Sequence, residues 1–287
     1  MAAAGYFNDR SLVRVVHRER IVALSGARAL LMQAAHPVAF EGFFASTASL
    51  TEPYERLART ARVLDLIGFG TIEQADRATR RVRAIHGRVR GELAHSAGRF
   101  AAGTPYAADD PELLLWILAC VGDSALAVFE RYVRQLRACE RDAYWQDYRT
   151  IGRLFGLTTS QMPVGRDGFR DYIDAMIAGG DLCVTDAARE LAVRIVLRPP
   201  VPFAARPLLE IANAVTVGLL PPSIRRGYRL RWDPASDLAL RAGGVYARRV
   251  IMPALPDRVR FVAAAQRGSS SGVRPSRVAS PLRGTVP

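Results

Sequence analysis

The sequence predicts an all-α protein, a single globular multi-helix domain. Three observations carry that prediction. Apolar residues recur at helical spacing from about residue 9 to about residue 265, clusters of proline and glycine punctuate the recurrence, and alternating strand-like stretches are almost absent. The domain is expected over residues 1–265. Residues 266–287 form a Ser/Gly/Pro/Arg-rich tail without periodicity, expected to be disordered.

Helices are expected at roughly 10–35, 37–46, 53–68, 72–98, 110–137, 141–155, 166–178, 186–197, 205–219, 222–229 and 234–252. The first turns Leu24, Leu31 and Ala35 inward and closes at Gln33-Ala-Ala-His36-Pro37. A proline drives the residue before it out of the helical region, so His36 is expected at a junction, held by local geometry, with Glu41 a little beyond. Phe40, Phe43 and Phe44 follow that junction.

In the helix at 53–68, Arg56 and Thr60 stand at i and i+4, on the side of Val63, Leu64 and Ile67. A cation and a hydroxyl are therefore expected to face inward together, although a paired arginine and a threonine bonded to its own backbone would give the same pattern. The helix at 72–98 has the stripe Ala75, Ala78, Val82, Ile85, Val89 and Leu93, with His86 inside it. Asp110-Pro111-Glu112 supplies an N-cap and a first-turn proline to Leu113–Val121, which is apolar all round and should be the central buried helix. At Leu219-Leu-Pro-Pro-Ser-Ile-Arg-Arg-Gly-Tyr228 a helix ends and a proline-initiated turn of helix begins.

With 287 residues, 49% of them apolar, the chain can bury one large core. No run of 18 uncharged apolar residues occurs, and the N-terminus lacks the charged and apolar regions of a signal peptide, so a cytoplasmic protein is expected. Cys120, Cys139 and Cys183 are too widely spaced for a zinc motif or a disulfide framework, and read as inert thiols. All 40 cationic residues are arginine, which excludes the P-loop lysine, the Schiff-base lysine and the kinase strand lysine. The net charge of +13 raises nucleic acid as a partner, but the arginines alternate along helices instead of forming one block. No specific nucleic acid is expected, and peripheral contact with an anionic membrane stays open.

His86 has the most to explain. An imidazole aimed at a hydrophobic interior must find a hydrogen-bond partner, stay uncharged or bind a metal, because burying it unsatisfied costs about 1 to 3 kcal/mol. Arg83 and Arg90, near the edge of the same face, could reach an anion beside it. Glu92-Leu-Ala-His95 has the spacing of a di-iron step, but the residues three before His17, His36 and His86 are Arg14, Gln33 and Arg83, so a second step is missing. Four histidines and scattered cysteines do not assemble an all-protein metal site. A metal that brings its own four equatorial ligands, as haem does, needs a single histidine; a satisfied core imidazole is the competing reading.

Leu30-Leu-Met-Gln-Ala-Ala-His-Pro37, Arg56-Leu-Ala-Arg-Thr60, Phe69-Gly-Thr71, Arg81-Val-Arg-Ala-Ile-His86 and Asp110-Pro-Glu-Leu-Leu-Leu-Trp116 follow one another in this order. Together with Leu219–Arg225 and Tyr228-Arg-Leu-Arg-Trp232, they resemble the bacterial and fungal family of the latex-clearing rubber oxygenases and the mycophenolic-acid-pathway oxygenase, over roughly residues 15–255. The resemblance implies a globin-like helical core around b-type haem, with His86 as the proximal iron ligand and Arg83 and Arg90 beside the propionates. It places Arg56 and Thr60 on the distal side, with Glu41 or His36 handling a proton. Arg59 stands beside the cofactor where rubber-cleaving members have a lysine, and a guanidinium does not ligate iron.

The expected function is therefore a haem-dependent oxygenase that takes dioxygen and an apolar, alkene-bearing substrate. A haem-binding sensor or carrier without turnover is one alternative. A basic helical nucleic-acid-binding protein without a cofactor is another.

Overall fold

The structure, a computed structural model, describes residues 4–44 and 53–269. It is helical throughout, and one two-stranded antiparallel ribbon is the only sheet among the described residues. The order is α1 (Leu12–His17), a 3-10 turn (Arg20–Leu24), α2 (Ser25–Ala34), α3 (Pro37–Phe44), α4 (Pro53–Phe69), α5 (Ile72–His86), β1 (Arg90–Glu92) and β2 (Pro105–Ala107). There follow α6 (Pro111–Tyr132), α7 (Ala138–Phe155), α8 (Gly165–Ala178), α9 (Asp186–Leu197), α10 (Arg206–Leu219) and α11 (Pro222–Gly227). The last elements are α12 (Pro234–Tyr246), a π turn (Ala247–Ile251), α13 (Met252–Ala254), α14 (Asp257–Arg260) and α15 (Ala263–Ser269), which runs past the expected domain end at 265.

Helix α6 is the centre. Asp110 caps it as the sequence predicts, its Oδ1 accepting from the backbone N–H groups of Glu112 and Leu113. It packs against α2, α7, α12 and the 3-10 turn, and buries Trp116, Ala119, Cys120, Ser124, Ala125 and Val128 completely. Among the described residues it alone is long and apolar enough to cross a membrane, and here that apolarity forms the core. Helix α7 lays Tyr144, Trp145 and Tyr148 against it, and the Trp145 indole donates to the carbonyl of Pro163 at 2.8 Å.

Arg28 and His17, enclosed by this core, are paired within the chain. Arg28 donates from Nε to the Leu219 carbonyl and from Nη1 to the Ser124 hydroxyl, both at 2.7 Å, and its Nη1 lies 2.8 Å from the Asp123 carboxylate. The His17 ring sits between α1 and α7, with Nε2 3.1 Å from the hydroxyls of both Tyr144 and Tyr148. Enclosure pushes its pKa down to about 4, so it is neutral at pH 7.

Two expected helices are interrupted, each by a distant contact. The one at 10–35 breaks at Glu19, which is extended and bridges to Phe261. Its nearly inaccessible carboxylate is held bidentately by the Arg260 guanidinium at 2.7 to 2.8 Å. An intact helix would leave that carboxylate without this partner.

The helix expected at 72–98 stops at His86, is capped by Gly87, and gives way to β1. Gly91 faces Tyr106 in the ribbon, and a Cβ on Gly91 would stand 2.6 Å from the Tyr106 hydroxyl oxygen, so the turn into β1 depends on the missing side chain. Val89 and Leu93 therefore leave the helical stripe assigned to them, and Glu92 and His95 no longer form a helical step.

Candidate functional site

Helices α4 and α5 form a hairpin that turns at Gly70 and Thr71. A Cβ on Gly70 would lie 2.5 Å from the Leu66 carbonyl oxygen, and Thr71 with Gln74 forms a reciprocal capping box at the start of α5. At the turn the inward faces are covered: Ile67, Ala75 and Thr79 are buried. Away from the turn the cover is lost. Thr60 is exposed, Val82 and His86 are half-buried, and Ile85, expected in the buried stripe, is 54% exposed.

Both helices thus open at the same end. Arg56 precedes Gly70 by 14 residues and His86 follows Thr71 by 15, which at 1.5 Å per residue puts them about 21 and 23 Å along their helices from the turn. The hairpin gathers Arg56, Thr60 and His86 toward one open end; the side chain of Arg56 lies outside the described residues. Thr60 does not lie in a packed interior as expected: its side chain is exposed, although α15 packs against α4.

The three arginines expected beside the cofactor have these surroundings within the chain. Arg83 is exposed and leans on the end of α7: a Cβ on Gly156, the left-handed residue that closes that helix, would stand 3.4 Å from Arg83 Nε. Arg90 has left the helix and pairs with Asp109 at 2.9 Å. Arg59 is 56% exposed and pairs with Glu55 one turn earlier at 3.5 Å.

A second group stands at the α2–α3 junction. His36 is buried there as expected, its Nδ1 accepting weakly from the Ala39 backbone N–H at 3.4 Å and its ring 5.2 Å from that of Phe100. Burial pushes its pKa down to about 4; Asp181 opposes the shift and Arg99 adds to it. With Nδ1 as acceptor the ring proton belongs on Nε2, so His36 is a neutral donor through that atom. Arg99 pairs with Asp181 and lies over Phe100. Nothing local in the sequence links these three residues to His36.

The ribbon joins the two groups. It starts four residues after His86, whose carbonyl accepts from the Val89 N–H, and β2 packs on α3, where a Cβ on Gly42 would meet the Tyr106 ring at 3.6 Å. Glu41, half-buried on α3, is Gly42's neighbour. The ribbon itself lines an open concavity of about 530 Å3 with Arg90, Glu92, Tyr106 and Asp110. Trp116, buried on α6, has an indole N–H that meets no acceptor among the described residues.

No cluster of three or more His, Cys, Asp or Glu side chains that could hold a metal ion occurs among the described residues.

The chain is similar to an uncharacterized protein of Mycobacterium bovis and to an uncharacterized protein of Mycobacterium tuberculosis, each 29% identical over 189 residues, covering 64% of this chain and 69% of the relative. No solved structure is significantly similar to it. The family described as ER-bound oxygenase mpaB/B'/Rubber oxygenase, catalytic domain, matches residues 13–249, which include both the α4–α5 hairpin and the His36 junction. The chain belongs to that family of oxygenases, and is an oxidoreductase of the same kind.

Proposed function

We propose that this protein is a haem b-dependent oxygenase that uses dioxygen on an apolar substrate containing a carbon-carbon double bond. The observation that carries the proposal is the loss of cover at one end of the α4–α5 hairpin, where His86 is half-buried and Thr60 exposed in a chain of oxygenase type. The donor set suits haem, since a single half-buried imidazole is enough for a metal with its own equatorial ligands. Haem would supply the iron at which dioxygen binds and reacts.

His86 would hold the iron. Thr60 and Arg56, one turn apart on α4, would donate hydrogen bonds to dioxygen. His36, neutral and protonated on Nε2, is a hydrogen-bond donor, and the Glu41 carboxylate is the group suited to accept a proton. Arg59 and Arg83, engaged with Glu55 and the end of α7, steady their helices; Arg90 is the arginine best placed to exchange its carboxylate partner for a cofactor propionate.

The test begins with the visible spectrum of the purified protein after expression with ample haem. A Soret band is expected, lost in His86→Ala and kept in His95→Ala. Oxygen uptake coupled to loss of an added isoprenoid alkene is then expected of the wild type, and is the feature that a non-catalytic haem carrier would lack. Absence of the band with haem in excess would overturn the proposal.

A further inference from the structure

Helix α12 runs without a break through the π turn into α13, so residues 234–254 form one continuous rod. Its inner face, Leu240, Gly244, Ala247 and Met252, is buried, with Gly244 close against Arg131 of α6. Its outer face is apolar as well. Leu238 is 68% exposed and Tyr246 58% exposed, and Val245 and Val250 continue the stripe at helical spacing. A helix apolar on both faces is ordinarily covered on both. Helix α10, which packs against α12, adds exposed Leu208 and Ile211.

The charge around this face selects the cover. The rod itself carries Arg241, Arg248 and Arg249 against the single carboxylate of Asp237, and Arg249 is exposed on the outer face. A second copy of the chain would bring the same arginines together across a self-complementary contact. Residues 270–287 are rich in serine, glycine, proline and arginine, without the apolar period needed to line a helix. A surface that is anionic outside and apolar beneath satisfies both the arginines and the stripe.

We infer that the outer face of residues 234–254 docks on an anionic lipid bilayer, lying in its interface with Leu238, Val245 and Val250 among the acyl chains, Tyr246 at headgroup level and Arg249 on lipid phosphates. The test is co-sedimentation of the full chain with vesicles of phosphatidylcholine and phosphatidylserine, against vesicles of phosphatidylcholine alone. Binding to the mixed vesicles is expected, with affinity about tenfold lower in the double variant Leu238→Ser/Tyr246→Ser, which keeps the charge of the chain. Both side chains are exposed, so the melting temperature should not change, and Arg249→Gln should weaken binding on its own.

Three results would overturn the inference: no binding to the mixed vesicles, equal binding by the double variant, or binding only after removal of residues 270–287. A wild-type dimer in sedimentation equilibrium that the double variant dissolves would assign the face to a second copy instead.

Discussion

The core around α6 and the open end of the α4–α5 hairpin treat polar side chains in opposite ways. Around α6, Arg28, His17 and Glu19 each find their partners within the chain, at distances of 2.7 to 3.1 Å. At the open end Thr60 and His86 lie on faces that the described chain leaves partly uncovered, and the nearby arginines make only exposed pairs. The enclosed groups serve the core; Thr60, exposed, and His86, half-buried, stand where a ligand can reach them. That contrast separates His17 from His86, although both carry the same ring on the apolar side of a helix.

The largest expected effect is on the closed side. Arg28→Ala removes a cation from the Asp123 carboxylate, the Ser124 hydroxyl and the Leu219 carbonyl together, and should lower unfolding stability by about 3 kcal/mol, read from urea denaturation.

Acid should act next. His17 and His36 are held neutral with pKa near 4, whereas in the unfolded chain each titrates near 6.5. Between these values the unfolded chain binds more protons, so stability that is full above pH 6.5 drains away as pH falls toward 4, by about 2 to 3 kcal/mol per histidine. Replacing His17 with phenylalanine should make the fall over that window shallower; an unchanged slope would show that its neutrality is not what the core maintains.

The open side should answer differently. His86→Ala is expected to change stability by no more than about 1 kcal/mol while abolishing the Soret band, and Thr60→Ala to be silent in a thermal melt while lowering oxygen uptake. If either variant instead unfolds the protein, the contrast between the two regions fails. The smallest effect belongs to Arg59→Gln, within about 0.5 kcal/mol and without loss of haem, because its partner Glu55 is equally exposed.

These differences also mark what the sequence makes legible. The start of α6 is visible in Asp110-Pro111 because a cap acts over three residues, and the junction at His36 is visible because proline restricts its immediate neighbour. The break at Glu19 is not, since its cause is Arg260, 241 residues away. The ribbon after His86 is not legible either, because the periodic stripe continues through Val89 and Leu93 while Gly91 packs against Tyr106, 15 residues away. For the site, periodicity identified the faces of α4 and α5 but not their cover, which depends on what the rest of the chain brings to them. That is why Thr60 and Ile85, assigned to inward faces, are accessible, and why Arg83 went to α7.

The clasp between Glu19 and Arg260 also bears on the order in which the protein can be made. During synthesis Glu19 emerges long before the residue that neutralises it, and Arg20, which donates to the carbonyls of Val259 and Phe261, waits equally long for its acceptors. Until then nothing opposes the helical tendency of 10–35, and the segment is free to run straight through the site of its later kink. Closure of the domain is thus a late event, in which Arg260 returns to bend the segment around Glu19, and α1 and α2 reach their final angle only after residue 260 has left the ribosome.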